Sequence, residues 1–175
     1  MAKGFVFEWV FISWMLSLFI HHHNIKRASI SSLKDDLIEL LTKVTEFKWL
    51  ESSDVPLYQE ERYNTKVSRV SWKLKQLNKL ASTTLVSEEK LNPLYNFDFE
   101  TFTNPTTSEQ DKEALKYSLQ ECCDDIIDTV EKNHFNKIMS SKLYIFWSAR
   151  HSVFGILSGL GIVYLFLQIM RLLFS

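Results

Sequence analysis

The chain has 175 residues, 46% of them hydrophobic and 23% charged, and its 20 basic and 21 acidic residues leave a net charge of −1. That balance argues against a nucleic-acid-binding module, which carries a basic excess. Four glycines and three prolines disfavour collagen-like, low-complexity and turn-rich all-β designs, and two cysteines cannot build a disulfide framework.

The apolar residues crowd into the two ends. Gly4 to Ile20 reads GFVFEWVFISWMLSLFI, with Glu8 its one charge. At the helical rise this run covers about 25 Å, close to a hydrocarbon core of ~30 Å. Lipid offers no water to backbone N–H and C=O groups, so the run is expected to be a transmembrane helix over 4–20. His21, His22, His23, Asn24, Ile25, Lys26 and Arg27 follow without an A-x-A-like site, which argues against a cleaved signal peptide. The three consecutive histidines lack the i, i+4 spacing of a helical zinc pair, so no metal site is expected there.

Residues 30–81 read as an antiparallel helical hairpin of coiled-coil type. Ile30, Leu33, Leu37, Leu40, Val44 and Phe47 fall at heptad spacing, with Ile38 and Leu41 widening the stripe. Ser32-x-x-Asp35 offers a capping box near the start of this helix. A breaker at 51–56 follows, with Asp54 a candidate cap and Pro56 suited to a first turn. Tyr63, Val67, Val70, Leu74, Leu77 and Ala81 then supply a second seam, and the short connector makes the pair antiparallel. Lys66, Arg69, Lys73, Lys75 and Lys79 give the second helix a basic face. Such a face is usually a solvated one; its functional reading is contact with an acidic partner or with anionic headgroups.

Residues 82–106 show no helical period and read as an aromatic-acidic loop, with turns at Asn92-Pro93 and Asn104-Pro105. Tyr95, Phe97, Phe99 and Phe102 are either a docking peptide or aromatics folded back on their own core. A third helix is expected over 107–148, capped near Thr107 or Ser108 with Gln110 or Asp111 reaching back. Its stripe is Leu115, Leu119, Cys122, Ile126 and Val130. Neighbours on a helix point about 100° apart, so one of Cys122 and Cys123 should be core and the other partly exposed. The final run, over 152–174, carries Arg171 as its one charge beyond Arg150 and is expected to be a second transmembrane helix.

The sequence therefore predicts an all-α fold: a two-span membrane protein with a small cytosolic helical hairpin or three-helix bundle between the spans. Lys26, Arg27, Lys34, Lys132, Lys137, Lys142 and Arg150 on the inner flanks, against Lys3 and Arg171 outside, place both termini opposite the cytosol. Glu8 and Arg171 fall near one face and suit an intramembrane pair. Ser13 and Ser17, with Gly155 and Gly159, are small residues four apart, a spacing that favours packing of the spans or a homodimer.

No G-x-S-x-G, H-E-x-x-H, P-loop or G-x-G-x-x-G occurs, so no catalytic residue or cofactor is expected. The reading is a non-enzymatic adaptor, receptor or assembly subunit of the endoplasmic reticulum or nuclear envelope membrane, with mitochondrial or peroxisomal membranes as alternatives. Its partners are the bilayer and a cytosolic or membrane protein, held by Lys66, Arg69, Lys73, Tyr95, Phe97, Phe99 and Phe102. Alternatives are a component of membrane-protein insertion or vesicle trafficking machinery, or a membrane-shaping or fusion factor.

Overall fold

The computed structural model describes residues 2–48, 50, 55–140 and 142–173, with the side chains of 2–8, 142–153, 156, 167, 171 and 173 outside the description. Among the described residues every element is helical and no strand occurs. The chain divides into two compact units, Ser29–Ser140, and Met1–Ala28 with Ser141–Ser175.

In the Ser29–Ser140 unit, the C-terminal part of α1 (Ala2–Thr45) packs beside α2 (Pro56–Ala81). Lys73 and Asp36 join them at 2.8 Å. α2 folds as its spacing predicts: Tyr63, Val67, Val70, Leu74, Leu77 and Ala81 are all buried. Each seam residue lies three or four positions from the next, so all share one helix face. Pro56 occupies the first turn, where its missing N–H costs nothing. Val55 stands at the N-cap, and Asp54, the expected cap, lies outside the described residues.

α1 differs from expectation in two ways. Its buried residues are Ile30, Leu37, Leu41 and Val44, while Leu33 and Leu40 are half-buried at the edge. The seam is rotated toward Leu41, which is fully buried. The helix is also unbroken through Ser31 and Ser32, so Ser32-x-x-Asp35 lies mid-helix and caps nothing.

Residues 82–106 are not the structureless loop that their lack of period suggested. A 3₁₀ turn (Glu88–Leu91) leads into α3 (Asn92–Tyr95), and α4 (Phe99–Thr103) follows. These pieces bury Leu85, Val86, Leu91, Leu94, Phe99 and Phe102, an irregular series that no single helical or strand period captures. Asn78 of α2 clamps the segment. Its carboxamide donates to the Val86 carbonyl and accepts from the Leu85 N–H, both at 2.8 Å.

α5 (Glu109–His134) starts where the sequence placed it, with Ser108 Oγ accepting from the Asp111 N–H at 3.1 Å. Its buried stripe is Leu119, Cys123, Ile126, Val130 and His134. Cys123 therefore takes the core position expected of Cys122, which is half-buried. A π-turn (Phe135–Met139) ends the helix, with the Ser140 N–H reaching back to the Phe135 carbonyl at 2.9 Å. The extra residue turns Ile138 inward and leaves Phe135 and Met139 exposed.

The other unit contains the start of α1 and α6 (Lys142–Leu173). The two expected transmembrane helices are corrected here: among the described residues no helix is long and apolar enough to cross a membrane. In α6, Gly155, Ser158, Gly159, Gly161 and Gln168 dilute the apolar run. The two-span fold class and the transmembrane description thus give way to an all-α chain, and the orientation inferred from the flanking Lys and Arg residues rested on those spans.

Candidate functional site

The aromatic segment after α3 turns inward. Tyr63 of α2 meets Phe97 and Phe99 at ring-centroid distances of 5.3 and 6.3 Å, and Phe102 closes on Phe97 at 5.5 Å. The Tyr63 hydroxyl donates to the Leu94 carbonyl at 2.6 Å. Burial pushes the Tyr63 phenol well above its usual range. Phe99 and Phe102 are buried and Phe97 is half-buried, which leaves Tyr95 as the exposed member of that expected surface.

The expected basic face is likewise broken up by its neighbours. Lys73 pairs with Asp36, and Lys75 lies 3.3 Å from Glu88. Lys66 is half-buried and Arg69 exposed. Both line a concavity with Lys48, Tyr58, Glu61, Arg62 and Thr65, where both charge signs are present.

What stands out on the outer face of α2, beside the basic residues Arg69 and Lys73 that the sequence singles out there, is a set of exposed apolar side chains. Leu57, Tyr58 and Trp72 are 66%, 56% and 62% exposed. Leu57 and Trp72 line a groove of about 820 Å³ with Leu40 of α1 and Glu61, Thr65, Ser68 and Arg69 of α2, and Tyr58 lines the neighbouring concavity. A signal for it was present. Tyr58, Glu61, Thr65, Ser68 and Trp72 repeat the heptad spacing on the side opposite the core seam, and all five are exposed. α2 thus has two seams, one filled by its own chain and one open.

The remaining site residues are dispersed. The side chains of Glu8 and Arg171, the expected intramembrane pair, lie outside the described residues. Ser13 and Ser17 are both exposed on α1, while a Cβ built at Gly155 or Gly159 meets nothing within 4 Å. His23 stacks on Phe19 at 6.5 Å; burial, with Arg27, Lys26 and His22 nearby, lowers its pKa. Burial pushes the Cys123 thiol up to about 12 and raises that of Cys122, so neither is poised as a thiolate nucleophile.

No known protein family, curated protein or solved structure matches the chain.

Proposed function

We propose that this chain is a non-catalytic protein-binding module, an adaptor, receptor or assembly subunit, and that it holds its partner on the outer face of α2. The observation that carries the reading is the group Leu57, Tyr58 and Trp72, large and mostly exposed on a helix whose opposite face is already committed to the core. Single exposed apolar residues are ordinary, but Leu57 and Trp72 line one groove rimmed by Glu60, Glu61, Arg69 and Lys73, with Tyr58 exposed beside it, which follows the pattern of an interface with an apolar centre and a polar rim. Trp, Tyr and Arg are the residue types that dominate binding energy in such patches. The groups most suited to nucleophilic chemistry, Tyr63 and Cys123, are absorbed into packing and held protonated by burial.

The test is photo-crosslinking in intact cells, with a photoreactive amino acid at position 72 and, as control, at Glu131, which is exposed on α5. The expected result is a protein adduct of discrete mass from position 72 that is absent from position 131 and lost when Leu57 is changed to Glu. Equal, diffuse labelling from both positions contradicts the reading.

A further inference from the structure

The open seam of α2 has a property that the choice of partner follows from: it is its own complement. Take Thr65 as centre. Glu61 and Arg69 lie four residues to either side, about 6 Å along the helix axis, and Tyr58 and Trp72 lie seven residues to either side, about 10 Å. The residues between them, Asn64, Thr65 and Ser68, are small or short, so a second helix can approach toward the lower end of the usual 8–10 Å separation. All of these residues except Tyr58 line the groove, and Tyr58 is exposed beside it.

From this arrangement we infer that the groove is filled by α2 of a second copy of this chain, running antiparallel about a two-fold axis at Thr65. The inference rests on the reading of this face as a docking surface and names its occupant. An isologous interface requires each residue i to meet a residue j that in turn meets i. Here Trp72 of one copy covers Tyr58 and Leu57 of the other, twice over, and Glu61 faces Arg69, twice over. Thr65 meets Thr65. A parallel pairing sets Glu61 against Glu61 and Arg69 against Arg69, and like charges across a seam select against that register. The self-match holds for the exposed face alone. The buried face carries no charge in its seam and is already committed to the chain's own core.

The experiment uses the full chain in a mild detergent, in a Cys122→Ala background so that the half-buried thiol does not compete. Thr65→Cys is compared under mild oxidant with Tyr117→Cys, an exposed position on α5. Thr65→Cys is expected to form a disulfide-linked dimer at least ten times faster, because it meets its own symmetry mate. Glu61→Arg and Arg69→Glu are each expected to raise the dimer dissociation constant about tenfold or more, and the double reversal to return it to within a few-fold of the parent. Equal crosslinking of the two cysteine variants overturns the inference, and so does a dimer indifferent to the charge reversals. The position-72 crosslink separates this failure from that of the docking face itself. A discrete adduct with a different protein and none with the chain itself keeps the face and removes the second copy; no adduct removes both.

Discussion

Asn78 offers a sharp test of how the fold is held. Its side chain ties residues 85 and 86 to α2 through two hydrogen bonds of 2.8 Å. Leu85 and Val86 are 1% and 2% exposed, so their backbone groups have no water to turn to when the carboxamide is removed. The Leu85 carbonyl keeps its bond from Asn133 Nδ2 at 2.5 Å, which limits the loss to the Leu85 N–H and the Val86 carbonyl. A net hydrogen bond contributes about 1 kcal/mol, and an orphaned buried group costs about 1–3 kcal/mol, so Asn78→Ala should lose about 2–4 kcal/mol. For a body of this size that corresponds to a fall in Tm of about 10 °C or more. Asn78→Asp keeps an acceptor for the Leu85 N–H but sets oxygen against the Val86 carbonyl, and should fall between the two. Thermal unfolding of the full chain followed by circular dichroism measures both. A shift of less than about 2 °C for Asn78→Ala refutes the clamp, since even one lost hydrogen bond exceeds it.

Three further outcomes follow from the same packing. Tyr63→Phe removes the bond to the Leu94 carbonyl while keeping the ring contacts, and should cost about 1–2 kcal/mol in urea unfolding. The folded pKa values of Tyr63 and Cys123 are both raised by burial, so their contribution is whole below the unfolded values and is lost as pH rises above them. Stability should therefore decline from about pH 9 upward, in one part that Cys123→Ala removes and a second, starting near pH 10, that Tyr63→Phe removes; a flat profile in the parent contradicts the burial of both groups. In thiol alkylation at pH 8, Cys122 should react ahead of Cys123 in the folded chain and at a similar rate in urea, which mass spectrometry of the two sites resolves.

The parts of the fold that were legible are those where one period governs burial. The α2 seam from Tyr63 to Ala81 is read directly from its steps of three and four, and Ser108 and Asp111 mark the start of α5 by capping chemistry. The α1 seam was misplaced because Leu33, Leu37, Leu40 and Leu41 fit two overlapping stripes, of which the fold buries Leu37 and Leu41. The short helices between 88 and 103 were illegible because each buries one or two residues at its own angle. The end runs looked like membrane spans because apolar residues dominate their counts, yet among the described residues no helix is long and apolar enough to cross a membrane. Trp72 is not legible as a docking residue because the face it shares with Arg69 and Lys73 reads by its charges as a solvated one.

The account turns on whether the outer face of α2 is covered when the protein is at work. Hydroxyl-radical footprinting in native extract, compared with the purified chain diluted until it is monomeric, reads this at Leu57, Tyr58 and Trp72, with Tyr117 as an exposed reference. Oxidation of the three α2 residues should drop several-fold in the extract while Tyr117 reacts equally in both. If Trp72 is oxidised as fast in the extract as in the dilute chain, that face carries no partner and the functional reading is wrong.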